Sequence, residues 1–458
     1  MNAEPLTIPV ELQRSTLLEL HAAYPDRYPA LLESAASGEP LGRFDILFAY
    51  PTATLTLDAC GTLTGEHAAG GTTFLQALDT WWSHERATES DVSLPFQGGW
   101  LVYLSYELAG QIEPRLAMPA PVSGPVAQAI RVPAAIILEH ANARAWIVVE
   151  SSALDLVPRI QADLAALTQT ARRVPDDLIE GDVVEDAPER FVHAVERALE
   201  YIAAGDIYQA NLSRAWRARV SEGAEPHDLY RRLRETNPAP FAALARLDGV
   251  TIVSSSPERL VEVRGGRVST RPIAGTRPRG ESAIDDQSLA RELRAHPKER
   301  AEHVMLLDLE RNDLGKICAA GTVEVDEYMV LESYAHVHHI VSNVRGRLRP
   351  DTSPGDVFRA VFPGGTITGC PKIRCMEIIA ELEREARGAY TGSLGYLNRD
   401  GSMDMNILIR TVELRDGALT IRAGAGIVAD SLPQRELEET RAKARGVLRA
   451  LTKAAREP

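Results

Sequence analysis

Phe191, Val195, Ala198, Leu199 and Ile202 recur at three- and four-residue spacing, an apolar stripe that predicts a helix ending near Gly205. Leu212, Trp216, Ala218 and Val220 all fall on even positions, the period of a strand, and a helix is predicted after them over residues 227–235. Apolar runs at residues 250–253 and 260–263 predict two strands paired with one another. Pro297 is placed to open a helix over residues 298–309, since the first turn needs no N–H there. The last helix is expected from Ser431-Leu432-Pro433 towards Leu451. Upstream, residues 44–50 and 100–104 read as strands, and the proline- and alanine-rich residues 114–133 read as a loop. Asp176, Asp177, Glu180, Asp182, Glu185 and Asp186 make residues 174–188 an acidic linker. Asp416-Gly417 between apolar runs predicts a tight hairpin. Helices and hairpins alternate irregularly, which implies an α+β fold of layered, mainly antiparallel sheets with flanking helices, not a doubly wound parallel sheet.

A chain of 458 residues exceeds the usual single domain, so two lobes or one large composite domain are expected, with an N-terminal region over 1–180 and a second over 186–455. The net charge of −14, from 50 basic and 64 acidic residues, argues against nucleic acid or an anionic membrane as partner. Any anionic substrate then needs a locally positive site. No secretory signal and no apolar run near the roughly 20 residues of a membrane helix is visible, so a cytoplasmic protein is expected. Cys60, Cys318, Cys370 and Cys375 form no CxxC pair, and none lies in a Gly-x-Cys-x-Gly nucleophile turn.

Two helical stretches carry glutamates three residues apart, Glu299 with Glu302 and Glu436 with Glu439. Each pair shares one helix face. Facing one another, four carboxylates would repel unless a cation lay between them, and a hard divalent ion such as Mg²⁺ suits oxygen ligands. Spacing alone equally describes solvated helix faces.

Several stretches carry more specific information. They are Ser269-Thr270-Arg271-Pro272-Ile273-Ala274-Gly275-Thr276, Glu302-His303 through Leu314-Gly315, His336-Val337-His338-His339-Ile340, Phe362-Pro363-Gly364-Gly365-Thr366 through Pro371-Lys372, and Gly424-Ala425-Gly426-Ile427. Together they resemble the chorismate-utilising enzymes over about residues 190–445, and more loosely over the first 115. The resemblance implies Mg²⁺ as cofactor, held chiefly by Glu302 and Glu439 with Glu299 and Glu436 in support. It implies His339 as the catalytic histidine and Thr366 beside the reacting ring hydroxyl of chorismate. Tyr390, Arg410 and Lys443 would hold or flank the enolpyruvyl carboxylate. Ser269, Thr270, Ala274 and Gly275 would form a substrate strand and turn, and the backbone from Gly424 through Ala425 to Gly426 an anion nest in a glycine-rich loop.

Gln209 stands where the water-using members of the family carry a lysine base, which points to the ammonia-using members. Between those, Ala274 resembles the anthranilate synthases, because the aminodeoxychorismate synthases typically place a nucleophilic lysine there. Gly42-Arg43-Phe44-Asp45, Gly98-Gly99-Trp100, Asn237-Pro238-Ala239-Pro240-Phe241 and Gly365-Thr366-Ile367-Thr368-Gly369 resemble the aminodeoxychorismate branch instead, and these separate segments outweigh one position. A methyl group at 274 excludes a lysine adduct. The absence of a glutaminase nucleophile turn implies ammonia from a separate glutamine amidotransferase subunit.

Overall fold

The strand Phe44–Ala49 shows how the molecule is layered, because its side chains alternate between two cores. Ile46 and Phe48 pack with Leu101, Tyr103, Ile130 and Val132 in a cluster between two sheets, while Leu47 and Ala49 join an outer cluster with Leu17, Leu20, Ile160 and Leu233. Strand Gly99–Leu104 does the same from the other sheet: Trp100 and Val102 turn outward to Leu78, Trp81 and Phe358. The result is helices, sheet, sheet, helices. This computed structural model describes residues 4–35, 42–88, 93–121, 123–167, 174–280, 282–333 and 337–452.

Among the described residues one sheet has 12 strands and the other 11, and every named pairing is antiparallel. Both draw on both halves of the chain. Ala30–Glu33 pairs with Phe241–Leu247 in the first sheet, and Gly99–Leu104 pairs with Ser393–Asn398 in the second. The expected α+β class with antiparallel sheets is the observed one.

Three local expectations are corrected. Residues 114–133 are not all loop, since Pro125–Val132 is a strand buried along its whole length. Its proline occupies the first position, where a missing N–H breaks no ladder. The acidic linker contains the strand Ile179–Glu185, which ends the 12-stranded sheet. Exposed Glu180 and Asp182 keep that edge from further pairing. Val250–Ser256 and Arg259–Arg264 are strands but not partners. The first pairs with Phe241–Leu247 and Thr411–Arg415, the second with Arg267–Thr270 and Met403–Asn406, so Pro257 and Glu258 lie where the chain crosses between sheets.

Other elements follow the sequence reading. Pro226–Thr236 is a helix opened by a capping box of Glu225 and Asp228. Pro297–Gly315 is a helix with proline in its first turn, longer than expected, and Pro433–Leu448 is the last helix. Asp416 and Gly417 both have positive φ, 47° and 73°, as a two-residue hairpin of primed type requires. Among the described residues no helix is long and apolar enough to cross a membrane.

Candidate active site

A cavity of about 870 Å³ opens where the two sheets part. Gln209, Asn211, Arg422, Gly424 and Gly426 reach it from the 12-stranded sheet, and Ile273, Gly275 and His339 from the other. The crossing residues Pro257 and Glu258 and the turn residue Thr366 complete the floor. The helix Pro297–Gly315 packs on the strands Ile273–Pro278 and Val337–Arg347, and the helix Pro433–Leu448 packs on Ala418–Ile427. Glu299 and Glu302 therefore come from one sheet's helix, Glu436 and Glu439 from the other's, and all four line this cavity.

Of the residues singled out from sequence, His339, Thr366, Gln209, Gly275, Tyr390, Arg410, Gly424, Gly426 and Lys443 also line it. Ser269 and Thr270 do not. They pair with Arg345 and Val344 in the strand behind, and Thr270 is buried beside the Glu310 carboxyl. Ala274 is placed by its backbone, opposite Ile340 and between the lining residues Ile273 and Gly275. His336 lies outside the described residues. His338 is buried and held by Ser333 at 2.7 Å and Asp286 at 2.9 Å, in a structural role.

The glycine-rich stretch is not a loop or a nest. Gly424, Ala425 and Gly426 belong to the strand Ala418–Ile427 and pair with Ser213, Leu212 and Asn211. Neither glycine has the positive φ that curls consecutive N–H groups round an anion. The ladder to Thr411–Arg415 ends at Val412 and Ile421, which leaves one edge of residues 424–426 beyond that strand. Ala425 turns its methyl into a core with Phe191 and Val195, so its side chain is not at the site. Glycine at 424 has a steric cause: a Cβ there would lie 2.6 Å from both the Tyr390 hydroxyl and the Leu212 carbonyl.

Gly275 forms a bulge, with a register shift between Ala274 and Thr276 and a φ of +80°. A Cβ at this point would come 2.9 Å from Glu299 Oε2. The same bulge presents its backbone to the ring of His339, which is 3% exposed. Burial, reinforced by Arg410, pushes the His339 imidazole down to about 4, so the ring is neutral at neutral pH.

Glu258 was not among the residues read from sequence. It is 6% exposed and accepts a 2.8 Å hydrogen bond from Thr366 Oγ1. Burial pushes its carboxyl up to about 7, against the opposing pull of Thr366, Arg410 and Lys443. Arg410 is itself pushed below its ordinary value by burial, and its backbone has a φ of 51°, uncommon for a side-chain-bearing residue. The signal that could have found Glu258 is a charged residue directly after the buried run Ser254-Ser255-Ser256 and a proline turn.

Gln209 is 7% exposed, and its Oε1 is a buried acceptor without a hydrogen-bond partner. Such an atom costs about 1–3 kcal/mol unless a ligand supplies a donor.

The four glutamates offer the hard oxygen donors that Mg²⁺ takes. Two of them face cations of the chain itself, Glu299 with Arg277 at 3.1 Å and Glu439 with Lys443 at 2.7 Å. Among the described residues no three His, Cys, Asp or Glu groups converge closely enough to hold an ion as they stand. The donor set fits Mg²⁺ in chemistry, and convergence on an ion requires side-chain rotation.

The model of the chorismate binding enzymes matches residues 29–449. Aminodeoxychorismate synthase component 1 of Bacillus subtilis is 40% identical over 387 residues, covering 82% of each chain. Anthranilate synthase component 1 of Acinetobacter calcoaceticus is 37% identical, covering 97% of this chain and 95% of its own. Among solved structures, anthranilate synthase component I from Streptococcus pneumoniae superposes with a TM-score of 0.80 at 33% identity, covering 90% of this chain and 93% of that one. The menaquinone-specific isochorismate synthase MenF from Escherichia coli reaches 0.73 at 17% identity, covering 98% and 96%, a likeness of fold alone.

Proposed function

The chain belongs to the chorismate binding enzymes and acts on chorismate, and from that premise we propose that it is an aminodeoxychorismate synthase component I. In this reading it aminates chorismate with ammonia to 4-amino-4-deoxychorismate, on the route to 4-aminobenzoate and folate. The ammonia comes from a separate glutamine amidotransferase subunit.

The observation that carries the ammonia reading is Gln209, which lines the cavity and whose buried Oε1 has no hydrogen-bond partner. A glutamine carbonyl accepts an N–H from ammonia but cannot deprotonate water as a lysine amine could. Arg410 and Tyr390 grip the enolpyruvyl carboxylate, with Lys443 beside them. Glu302 and Glu439, with Glu299 and Glu436 in support, would hold Mg²⁺, which when bound would supply positive charge to offset the ring carboxylate.

Ammonia adds at ring carbon C2, the ring double bond shifts, and the C4–O bond breaks. The departing hydroxyl leaves as water and needs a proton. Glu258 holds one near neutral pH, and Thr366 links it to the ring hydroxyl. His339, neutral when free, takes up the proton that the added ammonia must lose. A second ammonia then adds at C4 and expels the first from C2. No lysine adduct is formed, because residue 274 is alanine.

The second reading is anthranilate synthase component I, favoured by that same alanine. It stops after the first addition and eliminates pyruvate. Product identification from chorismate, Mg²⁺ and ammonium, before and after an aminodeoxychorismate lyase is added, separates the two. Release of 4-aminobenzoate only with the lyase is the expected result, and anthranilate without it would overturn the assignment.

A further inference from the structure

Glu310 is a buried acid close to the site that the mechanism above does not use. It lies eleven residues after Glu299, three helical turns, and so on the same face of Pro297–Gly315. It is 6% exposed, and its Oε1 would lie 3.2 Å from a Cβ on Gly365, the residue before Thr366. The charged groups around it come from three elements. Asp313 lies one turn on in its own helix, Lys372 opens the helix Lys372–Glu383, and Glu258 stands at the sheet crossing. The buried Thr270 side chain lies beside it on the strand Arg267–Thr270.

Lys372 Nζ is bound to Asp313 and lies 3.3 Å from the Val361 carbonyl, while the second Asp313 oxygen accepts from Lys316 at 2.8 Å. The lysine's charge is thus mostly spent on Asp313. Burial and then Asp313 push the Glu310 carboxyl up to about 7, against the pull of Lys372 and Thr270. Glu258 adds a smaller push in the same direction, across the turn that carries Gly365 and Thr366.

We propose that Glu310 is a positioning residue for the chorismate reaction: it supports Gly365 and Thr366 against Glu258, and its charge sets the proton affinity of Glu258. The inference rests on the reading of Glu258 as the proton-carrying group of the site. When Glu310 ionises, a second negative charge lies across the turn from Glu258 and holds the Glu258 proton more tightly. Without that charge Glu258 titrates lower, whether the reaction needs it as acid or as base.

The test is the pH profile of chorismate consumption by the full chain with Mg²⁺ and ammonium. Consumption is followed because it does not depend on which product forms. The Glu258 inflection is identified by its loss in Glu258→Gln. Glu310→Gln keeps the shape and removes the charge, and Glu310→Met removes it with an apolar chain of similar length. Each is expected to move the inflection to lower pH by about half a unit to one unit. An inflection within about 0.2 units of wild type in either folded variant would overturn the proposal and leave Glu310 a packing residue. If the wild type consumes no chorismate, the functional reading has failed. The Glu310 inference is then read from ¹³C-carboxyl NMR, in which Glu258 must titrate lower in the Glu310 variants for it to stand.

Discussion

Thr366 Oγ1 donates a 2.8 Å hydrogen bond to Glu258 Oε1, which joins a cavity-lining hydroxyl to a buried acid at the point where the chain passes from one sheet to the other. If this pair carries the proton for the leaving hydroxyl, Glu258→Gln lowers kcat by about 10²–10⁴-fold and leaves KM for chorismate nearly unchanged. Thr366→Val is expected to lose most of the same rate, and Thr366→Ser to recover it. Steady-state chorismate consumption with saturating ammonium and Mg²⁺ measures both.

The same acid costs stability. Its folded value is raised to about 7 from 4.5, so its contribution is fully present below about 4.5 and is lost as pH rises through about 7. Glu258→Gln does not titrate. Its stability relative to wild type should therefore climb between those pH values and level off above, by on the order of 3 kcal/mol. Paired urea unfolding curves across that range give the difference directly, and a pH-independent offset would contradict it.

Arg410 faces Glu258 and lies in the cavity with a left-handed backbone. Arg410→Gln is expected to lower kcat/KM by about 10²-fold, mostly through KM, because a bidentate grip on a carboxylate contributes about 1.5–3 kcal/mol. An effect confined to kcat would move Arg410 from binding to chemistry.

Gln209→Leu removes the buried acceptor that has no partner. The variant should unfold at higher denaturant, by about 1 kcal/mol or more, yet need far more ammonium for half-maximal turnover. Denaturant midpoints and ammonium titrations are the two readings. A normal ammonium response would remove the glutamine from nucleophile binding.

Glu302→Gln and Glu439→Gln each remove one carboxylate from opposite walls of the cavity. Chelation should abolish turnover in the wild type and added Mg²⁺ restore it. In either variant the Mg²⁺ needed for half-maximal rate should rise about tenfold or more. Calorimetric titration with Mg²⁺ reads the same loss without turnover.

Local periodicity exposed the helices and the glutamate pairs, because i and i+3 share a face in any helix. It could not expose Pro125–Val132, where Gln128 and Arg131 interrupt the apolar run yet are buried. Gln128 donates to Thr56 at 3.0 Å, and Arg131 is paired with Glu150 at 2.7 Å. Those partners lie far along the chain, so polar letters at those positions read as loop. Gly424 and Gly426 misled in the opposite direction. Their glycines answer to Tyr390 and Gln209 pressing on the strand, not to a turn. Glu258 escaped because its burial is decided by which sheet the next strand joins, and Glu310 because it is covered by Gly365 and Lys372, more than fifty residues further along the chain.

The shared sheets also limit how this chain can be cut. A fragment starting at residue 186 would strip Ala30–Glu33 from Phe241–Leu247 and Gly99–Leu104 from Ser393–Asn398. Two rows of backbone donors and acceptors would be bared together with the apolar residues between the sheets, a surface made for aggregation. Every residue proposed for chemistry lies after residue 186, yet a fragment starting there is expected not to fold as a working enzyme by itself. The first half acts as an intramolecular subunit, and lesions far from the cavity, in the strands it contributes, should appear as insoluble protein before they appear as slow catalysis.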